Sequence, residues 1–118
     1  MGLQGDTSFR QSGPHLDDEG MFAIILDYTA PIDQIDNLLD EHVAWLDTHY
    51  RDGVFLASGR REPRTGGVIL ATDMPIERAQ ALADSDPFAR HGVAIHTLVR
   101  FHPSKLTPAL TDVADLLA

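Results

Sequence analysis

Apolar positions change period several times along this chain, and each change predicts an element. Met21 to Thr29 is a nearly continuous apolar run that Ala30-Pro31 breaks, which reads as a strand. Ile32, Ile35, Leu38, Leu39, His42, Trp45, Leu46 and His49 then recur at steps of three and four, an amphipathic helix that Gly53 stops. Asp33 and Asp36 in its first turns suit the positive end of the helix dipole. Val54 to Ser58 predicts a short strand closed by Gly59, residues 60–67 a polar loop, and Val68 to Thr72 another strand. Asp73 is the expected N-cap of a second helix, with Pro75 early in it and an end near Asp84. Asp86 precedes Pro87, and a proline disfavours helical backbone at the residue before it, so Asp86 is expected to be extended. Arg90-His91-Gly92 reads as a turn into a last strand, Val93 to Phe101, and Thr107-Pro108-Ala109 as the opening of a helix through Leu117.

The order βαββαβ predicts an α+β fold of the ferredoxin-like kind, an antiparallel sheet with both helices on one face. Such a sheet ordinarily has one polar face. Here Phe22, Ile24, Leu26 and Tyr28 alternate with Ala23 and Ile25, Val68 and Leu70 with Ile69 and Ala71, and Val93, Ile95, Val99 and Phe101 with Ala94 and Leu98. Both faces are apolar, so the helix-free one is expected to be covered, most simply by the same sheet of a second subunit. Residues 1–20, rich in Gly, Ser, Gln and Asp, read as a disordered arm or an expression remnant, dispensable for folding. Residues 21–103 form the expected domain and 104–118 a C-terminal extension.

Composition narrows the function classes. The 118 residues suffice for one core, and eighteen acidic against nine basic residues give a net charge of −9. Nucleic acid is a poor partner for such a surface, as is an anionic membrane. No apolar run is long enough for a spanning helix, and no signal segment is recognisable. The chain has no cysteine, which removes thiolate metal sites and a Cys nucleophile and fits a cytoplasmic location.

The candidate chemistry lies with His42 and Asp86. His42 falls on the inner stripe of the first helix, where an imidazole needs a polar partner, either a backbone carbonyl in a purely structural role or a side chain such as Asp86. It can move a proton near neutral pH, and a carboxylate on one ring nitrogen would fix its tautomer. Asp86 is equally readable as a turn residue, and whether it reaches His42 decides between the two. His49, one heptad on, reads as packing. His96 and His102 share a strand face with Leu98 and Arg100, and His91 lies in a loop. No spacing among the histidines compels a metal site. Arg60, Arg61 and Arg64 are the one basic concentration, either a solvated loop or a rim that holds an anionic group. Gly66-Gly67 reads as backbone geometry, because no helix start follows it to bind phosphate. Ser58 is a possible hydrogen-bond donor to a ligand, with no base in sight to make it a nucleophile. Trp45, Phe55 and Phe88 read mostly as core, with Phe88 also able to wall a pocket beside Asp86.

From Met21 to about His102 the chain resembles the YCII-related family. The matching pieces are His42-Val43-Ala44-Trp45-Leu46, Gly53-Val54-Phe55-Leu56-Ala57-Ser58-Gly59, Pro63-Arg64-Thr65-Gly66-Gly67-Val68-Ile69-Leu70-Ala71, Asp86-Pro87-Phe88 and Gly92. The chain departs from the pattern at Ser58-Gly59-Arg60, where many relatives have Ser-Gly-Pro. The resemblance implies a homodimer of the dimeric α+β barrel type and a site built around His42 and Asp86. Two functions are expected to compete. One is a cofactor-free enzyme in which His42 and Asp86 are catalytic, while Ser58, Arg60, Arg64 and Phe88 bind a small, aromatic or enolisable anionic substrate for elimination or isomerisation. The other is a non-catalytic ligand-binding or regulatory dimer using the same pocket.

Overall fold

A computed structural model describes residues 20–110 of the chain. The elements are β1 (Met21–Tyr28), α1 (Ile32–Arg51), β2 (Phe55–Arg60), β3 (Gly66–Thr72), α2 (Ile76–Asp84), α3 (Pro87–Arg90) and β4 (Ala94–Phe101). The four strands make one antiparallel sheet in the order β2-β3-β1-β4. This is the α+β arrangement that the hydrophobic pattern predicts, with α1 and α2 on one side.

Pairing sorts the side chains. On β1, Phe22, Ile24 and Leu26 stand opposite Ala71, Ile69 and Gly67 of β3 and Arg100, Leu98 and His96 of β4. That face meets the helices, and Phe22, Ile24, Leu26, Ile69 and Ala71 bury there with Ile35, Ala79, Ala83 and Phe88. The opposite face carries Ala23, Ile25, Val68, Leu70, Ile95, Val99 and Phe101, of which Ile95, Val99, Phe101 and Val68 are exposed.

Three local expectations need correction. β2 does not close at Gly59: it runs to Arg60, because Gly59 pairs with Val68 and Arg60 with Gly67. The absence of a side chain at Gly67 permits this, since a Cβ there would come within 3.0 Å of the Gly59 carbonyl oxygen. Correspondingly β3 begins at Gly66, inside the expected loop. Asp73 is not the cap of α2, whose N-cap position is Pro75 without a side-chain bond. The Asp73 carboxylate instead accepts from Arg100 Nε and Nη2 at 2.8 and 2.7 Å. Burial favours its neutral form, but Arg100 and the Gly20 and Met74 N–H groups outweigh that and hold its pKa below the usual value. Lastly, the turn after Asp86 contains a short helix, α3, absent from the periodicity reading. Residues 108–110 are helical, but the rest of the expected C-terminal helix and residues 1–19 of the arm lie outside the described residues. Among the described residues no helix is long and apolar enough to cross a membrane.

Candidate active site

Asp86 sits at the junction of α2 and α3 with φ −60° and ψ 130°, the extended geometry that Pro87 imposes. An extended residue ahead of a helix is an N-cap, and the Asp86 carboxylate accepts from the Phe88 N–H at 3.0 Å. The position is held from α1 as well: Trp45 Nε1 donates to Ser85 Oγ at 2.8 Å, and Ser85 Oγ donates to the Leu82 carbonyl at 2.6 Å. Beyond α3, Gly92 takes φ +69°, a conformation that suits glycine, and the chain reverses into β4.

That local geometry buries Asp86 completely, at 0% exposure, and gives its carboxylate three N–H donors. His42 Nδ1 donates to Oδ1 at 2.8 Å, and His96 Nε2 donates to Oδ2 at 2.8 Å, with Phe88 N–H the third. An ionised carboxylate only accepts, so both imidazoles present a proton to it. Burial by itself pushes the Asp86 pKa up. The hydrogen bonds from His42 and His96, the charge of His42 and the Phe88 N–H together overcome this and leave it below the usual carboxylate value. The turn and partner readings of Asp86 are therefore both true: it caps α3 and holds His42.

The His42 ring is fixed on its faces too. Phe88 stacks on it with centroids 4.1 Å apart and planes 9° from parallel, and Trp45 lies at 5.6 Å. With Nδ1 committed to Asp86, Nε2 is the nitrogen without a hydrogen-bond partner among the described residues. His42 lines a cleft of about 450 Å³ together with Leu26, Tyr28, Leu39, Ser58, Arg60, Arg64 and Phe88. Ser58 and Arg60 face it because they pair with Ile69 and Gly67, whose positions lie on the helix side of the sheet.

The three arginines part company. Arg61 is ion-paired with Asp27, and it does not line the cleft. Arg64 lines the cleft while donating to Asp36 at 2.6 Å, a bond that raises its pKa. Arg60 lines the cleft and, among the described residues, has no ion-pair or hydrogen-bond partner for its guanidinium. Ser58 Oγ shares a hydrogen bond of 2.7 Å with the Tyr50 hydroxyl, a neighbour that the sequence reading did not single out. His49 packs between Trp45 and Phe55 rings, as expected of a packing residue.

His96 is the residue that sequence reasoning missed. Its signal was available: alternation along the last strand puts it on the same side as buried Ala94, and a polar side chain there needs a partner for the same reason as His42. Among the described residues, no group of three or more His, Cys, Asp or Glu side chains is arranged to hold a metal ion.

Residues 21–102 match the YCII-related domain. Among curated proteins none matches the sequence. A solved structure of similar fold is 5-chloro-2-hydroxyhydroquinone dehydrochlorinase (TftG) from Burkholderia phenoliruptrix AC1100, in complex with 2,5-dihydroxybenzoquinone. It superposes with a TM-score of 0.59 at 14% identity, covering 73% of this chain and 95% of that chain. At that identity the likeness speaks for the fold.

Proposed function

We propose that this chain, which belongs to the YCII-related family, is an acid/base enzyme that eliminates or isomerises a small, anionic, aromatic or enolisable molecule without a cofactor. The observation that carries the reading is the His42–Asp86 bond: it fixes the imidazole as the Nδ1–H tautomer and leaves Nε2 free on a residue that lines a cleft. A neutral imidazole so held is a general base, and its conjugate acid is the matching donor. In an elimination, Nε2 takes the substrate proton, the electron pair moves into the new double bond, and the leaving anion departs with the electrons of its own bond. Asp86 stabilises the imidazolium formed on the way. Arg60 supplies the counter-charge for a phenolate or carboxylate, and Ser58, Arg64 and the Phe88 ring shape the rest of the cleft.

The named activity of the TftG neighbour, a dehydrochlorinase of a hydroxylated aromatic ring, supports elimination over isomerisation and suggests halogenated hydroquinols as first substrates. Turnover is to be followed spectrophotometrically on a panel of chlorinated hydroquinols, other activated phenols and enol lactones. His42→Ala should lower kcat by about 10²–10⁴-fold, the usual worth of a positioned acid/base, and Asp86→Asn should also suppress it, with both variants folded. Tight binding across the panel with no turnover would instead assign the cleft to ligand capture, the regulatory reading.

A further inference from the structure

We infer that His96 is a positioning residue for His42, a neutral imidazole that grips the far oxygen of Asp86 and thereby sets how strongly the carboxylate stabilises the His42 imidazolium. The inference rests on the acid/base reading of His42 and adds a residue to it. Its basis is the geometry of one carboxylate between two imidazoles. Oδ1 receives His42 and the Phe88 N–H, and Oδ2 receives His96 Nε2 at 2.8 Å. The His96 side chain is only 4% exposed, and its other nitrogen, Nδ1, is buried with no hydrogen-bond partner among the described residues.

Those facts fix the proton count on His96. A second proton would place an N–H donor and a positive charge at Nδ1, where no described residue offers an acceptor, and a buried donor left unpaired is unfavourable. A bare Nδ1 lone pair in the same place is the milder defect. One carboxylate also carries one negative charge, enough to balance one imidazolium. His42, at the cleft, has a second nitrogen free to exchange with a substrate, whereas His96 does not line the cleft. His96 therefore contributes a dipole, and the positive charge that Asp86 stabilises during the reaction forms on His42.

The consequence is a tuned acid. A donor on Oδ2 draws the carboxylate's charge away from Oδ1 and prevents the group from turning. Without it, Oδ2 would lie buried and unmatched, and the charge would concentrate on the bond to His42. His42 would then release its proton at a higher pH. Other polar groups that line the cleft with His42 are Asp36 on α1, Tyr28 on β1, Ser58 and Arg60 on β2 and Arg64 on the loop, with Phe88 and Trp45 against its ring. All are common to the wild type and a His96 variant, so the difference between the two isolates His96.

The experiment is a histidine-selective nitrogen NMR titration of the full chain. In the wild type, His96 should carry its proton on Nε2 and keep Nδ1 bare across the range in which His42 titrates. In His96→Phe, the His42 midpoint should rise by on the order of one pH unit, the size of one hydrogen bond to the charged form. His96→Gln, whose side-chain amide can again donate to Oδ2, should return most of that shift. His96 protonated on Nδ1, or charging together with His42, would overturn the inference. So would a His42 midpoint in folded His96→Phe within about 0.2 unit of the wild type. If the phenylalanine variant does not fold, the wild-type tautomer and the glutamine variant still decide the matter. None of these readouts needs turnover, so a chain that turns over no substrate leaves them standing, and their failure leaves the His42→Ala result standing.

Discussion

A carboxylate without exposed surface keeps its charge only while donors cover both of its oxygens, and Asp86 meets that condition through residues on three different elements. The linkage to pH follows from its lowered pKa. Because the folded-state value lies below the ordinary 3.8, ionised Asp86 contributes stability that is complete above the unfolded value and is lost as pH falls through the folded one. Thermal stability should therefore drop on acidification below about pH 4, and Asp86→Asn should flatten that part of the profile. Asparagine would also set an amide N–H against the donors of His42 or His96, so the variant should melt lower than the wild type at neutral pH. A differential scan across the acid range that showed the same slope for both proteins would remove Asp86 from the account. At the same scale, Arg60→Ala should raise KM by about 10–100-fold, the worth of a charged hydrogen bond, while Arg61→Ala, whose partner is Asp27, should change KM little. Much of this site was legible in the sequence. His42 was marked by its stripe and Asp86 by its proline. What periodicity does not carry is reciprocity: the sequence shows that a residue needs a partner without showing how many residues one carboxylate can serve. That is why the strand face of His96 is legible without its partner, and why Arg60 and Arg64 are equivalent in the sequence although Asp36 holds only the latter.

Elements bring these residues together, and the hinge of the arrangement is the glycine pair that opens β3. Gly66 stands opposite Asp27, and a Cβ there would overlap the Leu26 carbonyl oxygen. Leu26 is a core residue whose neighbour across β4 is His96. Gly66→Ala should therefore force β1 and β3 apart at the cleft end, destabilising the fold by about 1–3 kcal/mol, as overpacking does. For a domain of this size that is a fall in Tm of roughly 5–20 °C by calorimetry. Gly53→Ala, where a Cβ would meet nothing, should cost only the strain of its φ of +74° and serves as the comparison. An unchanged Tm for Gly66→Ala would mean that the strand start adjusts freely. The two long helices and all four strands could be read from apolar spacing, because burial against one sheet face imposes it. The short α3 could not, since four residues span barely one turn and show no period. The extension of β2 through Gly59 is hidden for a related reason: glycine normally signals a strand's end, and here pairing continues because Gly67, opposite Arg60, leaves room for the Gly59 carbonyl.

On the scale of the whole molecule, the sheet has a second apolar face, opposite the one on which α1 and α2 pack, and among the described residues it is exposed. Ile95 is 60% exposed, Val99 44%, Phe101 39% and Val68 36%, with Ala23, Ile25 and Leu70 half-buried between them. Except for Asp27, the residues pointing that way on the two central strands and β4 are uncharged, and Asp27 is paired with Arg61. This matters in a chain of net charge −9, because two copies repel each other and do so least when they meet through an uncharged face. We propose a second copy of the same face as the occupant: sheet against sheet about a two-fold axis would match apolar side chains to themselves and bring no unpaired charge into the contact. The protein should accordingly sediment at about twice the chain mass at micromolar concentration. Ile95→Glu supplies the sharper test. A two-fold axis places the new carboxylate in the interface twice, so the dimer should dissociate. The protomer core should be untouched, because the Ile95 side chain points away from it, and the far-ultraviolet circular dichroism should match the wild type. A wild type that sediments as a monomer, or an Ile95→Glu variant that remains a dimer, would rule this face out as the place where the copies meet.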